Sequence, residues 1–277
     1  MVIVAVEQGE PPGRRLVDDD LAVRFLPAPA RWLLTAGPKN LVRRLAMTAT
    51  EREGPGLWAS LTCRKSYIAD KVSESLDDID AVVVLGAGFD TLAYRLARKT
   101  SVPIFEVDQP VNIARKASAV RRALGAQPGS IHLVPLDFER DNVLEVLTGH
   151  GYRPDSRTFF VWEAVTQYLT PEAVHATLDG LRPVASGSRL VFTYVRKDFI
   201  DGINRYGAET LYRRFRQRQY VWGFGIPPAE VATFLGGHGW RLIEQAGPDL
   251  IVQRYVAPTG RNLLASPIEW SAYAEKM

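Results

Sequence analysis

Between residues 81 and 195 short apolar runs alternate with longer amphipathic stretches. This predicts strands at 81–85, 102–107, 131–134, 157–162 and 188–195, separated by helices at 90–98, 110–124, 141–149 and 171–182. A run such as Ala81-Val82-Val83-Val84-Leu85, with no polar interruption, suits a strand buried on both faces. Strand and helix in strict alternation predict a doubly wound parallel α/β sheet. Upstream, 57–76 reads as one long helix preceded by shorter helical stretches near Leu21 and Leu41. Downstream, a polar, aromatic-rich insertion at about 197–228 precedes a helix near 229–238, and 240–244 and 250–255 read as a closing antiparallel pair. The expected organisation is one domain over 1–277, with a helical cap at 1–76, a core at 77–196, a lid insertion at 197–228 and a closing segment at 229–277.

The first strand runs straight into Gly86-Ala87-Gly88, and the second ends in Glu106-Val107-Asp108-Gln109-Pro110. Two glycines after a buried strand let the backbone approach a ligand closely, and an acid roughly 20 residues further on stands where a nucleoside ribose is held. An ionised carboxylate accepts hydrogen bonds only, which suits Asp108 to two adjacent sugar hydroxyls. Glu106 shares its strand face, so alternation alone does not separate the two acids. Gln109-Pro110 should open a helix, since proline is tolerated in a first turn. The dinucleotide fingerprint wants a third small residue three positions after the second glycine, where this chain has Thr91, and that counts against a nicotinamide cofactor.

Four separated segments, in order and spacing, resemble the leucine carboxyl methyltransferase family, in particular its actinobacterial S-adenosylmethionine-dependent branch related to polyketide carboxyl O-methyltransferases. They are Arg64-Lys65-Ser66-Tyr67-Ile68-Ala69-Asp70, Leu85 through Gly86-Ala87-Gly88-Phe89-Asp90-Thr91, Phe105 through Pro110, and Trp162-Glu163-Ala164-Val165-Thr166-Gln167-Tyr168-Leu169-Thr170-Pro171. Val17-Asp18-Asp19-Asp20-Leu21-Ala22 is similar to the entry of the family's N-terminal cap. The resemblance implies a Rossmann-like class I methyltransferase sheet with a helical cap and lid and S-adenosyl-L-methionine as cofactor; the arginines and aromatics from Tyr194 onward suit a small-molecule acceptor, acidic or aromatic. The family's lysine near the N-terminus has no clear match here, and Lys65 stands where the branch commonly has threonine.

Carried over residue by residue, the resemblance gives Arg64 the methionine carboxylate, a task for a planar guanidinium. Gly86 and Gly88 would lie along the amino acid portion, and Asp108 would take the ribose. Asp137 and Phe138 would meet the adenine, unless Asp137 instead caps the helix starting near Asp141. Glu163 would contact the cofactor's ammonium end and offset the sulfonium. With Tyr168 it forms the expected catalytic, orienting pair. Thr170 and Pro171 look like the start of a helix. Gln167, Tyr194, Arg196, Arg205 and Tyr206 are the candidates for acceptor binding. Methyl transfer from a sulfonium needs alignment more than a base, and a carboxylate acceptor is already ionised near neutral pH. The four histidines, His132, His150, His175 and His238, lie away from these loops, so carboxyl methylation is preferred to hydroxyl methylation. More distant readings are a nicotinamide-dependent dehydrogenase and a protein that binds S-adenosylmethionine without turnover.

Composition narrows the partners further. With 34 basic against 31 acidic residues there is no charge excess to argue for nucleic acid. The cluster Arg213-Arg214-Phe215-Arg216-Gln217-Arg218 reads first as a solvated helix face, and otherwise as an anion-attracting lid or a nucleic-acid surface. No apolar run is long enough to span a bilayer and no secretory leader is expected, which makes the cytoplasm the expected compartment. A single cysteine, Cys63, excludes an intramolecular disulfide, and with four scattered histidines no metal centre is expected. The oligomeric state is not readable from the chain.

Overall fold

The computed structural model describes residues 1–218 and 221–277, so positions 219–220 of the expected lid lie outside the described residues. Seven strands, β1 (Ala81–Leu85), β2 (Ile104–Asp108), β3 (Ile131–Pro135), β4 (Thr158–Trp162), β5 (Arg189–Val195), β6 (Trp240–Ala246) and β7 (Glu269–Lys276), form one sheet in the order β3-β2-β1-β4-β5-β7-β6. β1 to β5 are parallel, with Val83 of β1 opposite Phe105 on one side and Phe160 on the other. β7 runs antiparallel between β5 and β6. The strand order reverses between β1 and β4, the point at which an open α/β sheet leaves a crevice beyond its carboxyl ends.

The chain enters through α1 (Val2–Glu7), α2 (Ala22–Phe25), α3 (Ala28–Ala36), α4 (Lys39–Glu53) and the long α5 (Leu57–Ser75). Next come α6 (Leu92–Leu96), α7 (Pro110–Leu124), α8 (Val143–Gly149) and α9 (Pro171–Gly180). The chain then forms α10 (Lys197–Ile200), α11 (Glu209–Tyr212), α12 (Val231–Gly237) and α13 (Pro248–Ile251). One layer of core joins α1, α2, α5, α6 and α7 to one sheet face through Phe25, Trp58, Tyr67, Val82 and Val120. The other layer joins α8, α9 and α12 to the opposite face through Leu147, Phe160, Val174 and Leu235. The aspartate-rich entry has a structural job. Asp19 is buried, caps the Leu21 and Ala22 amides at 3.1 and 3.0 Å, and accepts from the Thr91 hydroxyl, so α2 is pinned to the segment after the glycine turn.

Most expected elements form within a residue or two, and β1 and α7 match their predicted limits. The stretch 250–255 is a correction: it finishes α13 and continues as a π-helical turn, Val252–Val256. Pro248 suits a first helical turn, and Ile251 and Val256 face the core while Gln253 and Arg254 face outward, a helical and not an alternating division. The true closing strand is β7, whose buried positions are the small residues Ser271, Ala272 and Ala274 and the terminal Lys276, too weakly apolar to announce a strand. Among the described residues no helix is long and apolar enough to cross a membrane.

Candidate functional site

The crevice is built outward from the end of β1. Gly86 turns at φ +75°, and the amides of Gly86 and Ala87 both donate to the Val107 carbonyl of β2, at 2.7 and 3.0 Å. A Cβ at Gly86 would come within 2.1 Å of Val165 Cγ2, whereas one at Gly88, φ +44°, would meet open space. The first glycine is therefore needed by the protein itself, and the second leaves room for a ligand against the backbone. Replacing Gly86 with alanine combines a left-handed backbone with this collision, and thermal unfolding should report a loss of about 2 kcal/mol or more.

Asp108, at the end of β2, fixes the same turn. Its Oδ2 accepts from the Gly88 amide at 2.6 Å, and its Oδ1 accepts from the Gln109 amide at 2.7 Å and from Asn112 Nδ2 at 2.8 Å. The structure separates Asp108 from Glu106: Glu106 is wholly buried, takes the Tyr94 hydroxyl at 2.9 Å and pairs with buried Lys116, while Asp108 lines a cavity.

A buried ionic cluster closes the other end. Arg64 on α5 donates from Nε to Glu163 at 2.6 Å and from Nη1 to Glu269 at 2.5 Å, which leaves Nη2 without a protein partner among the described residues. Its neighbour Lys65 bridges Asp90 at 2.7 Å and the second oxygen of Glu163 at 2.8 Å. Burial opposes charge on Asp90, but the Lys65 ammonium, by its charge and its hydrogen bond, outweighs it and holds this carboxyl well below the usual carboxylate range. Lys65 is likewise pushed above its ordinary value, the burial penalty being exceeded by Asp90 and Glu163. Because the native pKa of Asp90 is depressed, its contribution to stability is present above the usual carboxylate pKa, near 4, and is lost as pH falls below it. Urea unfolding between pH 6 and pH 3 should therefore show a shallower acid loss in Lys65→Met than in the parent, since that variant starts without the pairing.

Two cavities flank the glycine turn and share Gly86 and Ala164. The smaller, about 340 Å³, is lined by Asp108, Asn112, Asp137, Phe138 and Tyr168. The larger, about 880 Å³, reaches from Arg64, Lys65 and Glu163 along α7. Asp137 accepts from the Glu139 amide at 3.1 Å and does not cap α8, whose cap is Asn142. Phe138 packs on Trp162, with ring centroids 6.3 Å apart. Tyr168 is half exposed, whereas Gln167 is buried with Oε1 unpartnered among the described residues.

The other acceptor candidates stand apart from both cavities. Tyr194 is fully buried and its hydroxyl accepts from Gln245 Nε2 at 2.7 Å. Arg196 forks onto Asp198 at 3.1 and 2.9 Å, with Tyr206 donating to the same carboxylate, and Arg205 lies over the Tyr212 ring. Pairing with β6 occupies the Tyr194 hydroxyl, and pairing around the start of the 197–228 segment occupies Arg196, Arg205 and Tyr206. Arg214 of the basic cluster similarly donates to Glu53 at 2.6 Å. The sequence reading missed Asp90, Asn112 and Glu269 and gave Lys65 no role. Asn112 was findable in the first turn of the helix that Gln109-Pro110 opens just beyond Asp108, but Glu269 sits on the strand whose apolar signal was too weak.

Strand order, glycine turn and acid-tipped second strand define the class: the fold is that of the class I methyltransferases. A DUF574 family protein from Streptomyces avermitilis has the fold at a TM-score of 0.59 and 15% identity, covering 85% of this chain and 90% of that one. Magnesium protoporphyrin IX methyltransferase from Synechocystis, solved with bound SAH, shares it at 0.51 and 12%, covering 89% and 97%. The leucine carboxyl methyltransferase family model matches residues 1–182, and the chain belongs to that family. A protein of Mycobacterium sp. strain KMS with the provisional name S-adenosyl-L-methionine-dependent methyltransferase is 31% identical over 191 residues, which is 65% of this chain and 61% of that protein. A Mycobacterium avium strain 104 protein so named is 33% identical over 190 residues, 65% and 60%. The chain thus matches about three fifths of the length of these relatives.

Proposed function

We propose that this chain is an S-adenosyl-L-methionine-dependent O-methyltransferase that methylates a carboxylate of a small metabolite, working as one unit with the helices of 1–76 as its cap. The observation that carries the reading is the Asp108 carboxylate, tied to the Gly88 amide and edging a cavity that also holds Asp137 and Phe138. The residues present fit the cofactor. Open space at Gly88 admits the ligand against the backbone, Asp108 suits the ribose, Asp137 can accept from the adenine amine beside Phe138, and the free Nη2 of Arg64 suits a carboxylate.

Bound there, S-adenosylmethionine supplies a methyl group on a sulfonium; the S–CH₃ bond breaks as the O–CH₃ bond forms, and a neutral thioether leaves. The protein's part is orientation, which can supply several kcal/mol. Glu163, held from both sides by Arg64 and Lys65, gives a fixed negative charge facing the cofactor's cationic end. No histidine lines either cavity among the described residues: His132 stacks on Phe105, and His175 and His238 hydrogen-bond each other. A carboxylate acceptor needs no proton removed, so this arrangement supports carboxyl over hydroxyl methylation.

Calorimetric titration with S-adenosylmethionine, S-adenosylhomocysteine, NAD and NADP tests the first half. Selective binding of the first two is expected, and preference for a nicotinamide cofactor overturns the reading. Product methyl groups released by mild alkaline hydrolysis identify esters, whereas alkali-stable products identify hydroxyl methylation.

A further inference from the structure

The larger cavity extends beyond what the ionic cluster and glycine turn account for. It follows α7, where Val111, Arg115, Ser118 and Arg122 recur at the i, i+4, i+7 and i+11 spacing of one helix face. At 1.5 Å per residue this face covers about 16 Å, with the two arginines about 10 Å apart along the axis. Opposite stand Phe25, Leu26 and Pro27. The charges are unevenly placed. The cavity's two acids, Asp90 and Glu163, are already paired with Lys65 and Arg64, whereas Arg115 and Arg122 make no hydrogen bond or ion pair among the described residues. The cavity therefore joins a cluster of paired charges to two unopposed guanidinium groups through a mainly apolar wall.

We infer that this cavity takes an elongated acceptor with an apolar middle and a second anionic group, held by Arg115 and Arg122 while the first carboxylate is presented near the glycine turn. The inference rests on the methyltransferase reading of the same crevice. Planar guanidinium forks recognise carboxylates in pairs of hydrogen bonds, and the apolar wall selects an alkyl or aryl spacer over a hydrophilic one.

The test titrates decanedioate and decanoate, equal in length and differing in one terminal charge, into protein saturated with S-adenosylhomocysteine, for the parent and for Arg115→Gln/Arg122→Gln. Both arginines are exposed, so the double variant should fold, and its S-adenosylhomocysteine affinity serves as the check. The expected result is at least tenfold tighter binding of decanedioate by the parent, falling to less than twofold discrimination in the variant. Equal affinities in the parent, binding of neither acid, or discrimination that survives the double substitution overturns the inference and leaves the cofactor reading standing. A parent that does not bind S-adenosylhomocysteine overturns that reading as well.

Discussion

Asp108→Ala is expected to weaken S-adenosylhomocysteine binding ten- to a hundredfold, about 1.5 to 3 kcal/mol for hydrogen bonds made to a charged group. The loss has two parts. The carboxylate proposed to receive the ribose is gone, and the Gly88 and Gln109 amides and the Asn112 amide lose their shared acceptor, so the turn loosens. Asn112→Ala removes one support and leaves the carboxylate, and a loss of only a few fold is expected. Calorimetry on both, with thermal unfolding alongside, apportions the effect. Unchanged affinity in Asp108→Ala would take this residue out of the site.

Arg64→Ala should have the largest effect on the fold, because it leaves Glu163 and Glu269 charged and largely buried with one partner fewer each. Removing one member of such a pair costs about 3 to 5 kcal/mol, and Lys65 remains to compensate Glu163 only. Arg64→Lys keeps the charge but not the fork and should recover part of the stability. If Nη2 takes the methionine carboxylate, Arg64→Lys should weaken S-adenosylmethionine more than adenosine, which lacks that group. Equal losses for the two ligands would assign Arg64 to the scaffold alone.

The two halves of the sheet were unequally legible in the sequence. β1 and α7 carry their own signals: an unbroken apolar run, and a proline at the first helical position ending in glycine. β7 carries none, because paired on both sides it is buried by position and small side chains suffice, while 250–255 had the β-branched and aromatic content of a strand without its alternation. The site followed the same division. The glycines were readable because a left-handed turn favours that residue type, and Asp108 because a carboxylate at the strand end can take the free amides beside it. The pairing of Lys65 with Asp90 and Glu163 joins segments about 25 and 98 residues away, which no local pattern encodes. Tyr194, Arg196, Arg205 and Tyr206 had suitable chemistry for an acceptor, but Tyr194 is taken by Gln245 of β6 and the other three by partners close to them in the chain.

The place of β7 also sets an order of events during synthesis. β6 emerges about thirty residues before the strand that separates it from β5, so until β7 is made the edge of β5 has an unpaired row of backbone groups and β6 has nowhere to dock. The parallel half can assemble while the chain is still growing, but this flank closes only once β7 has emerged. An exposed edge invites pairing with another chain. The interval between Ala246 and Glu269 is therefore the stretch over which a nascent molecule is most open to association with its neighbours on the same message.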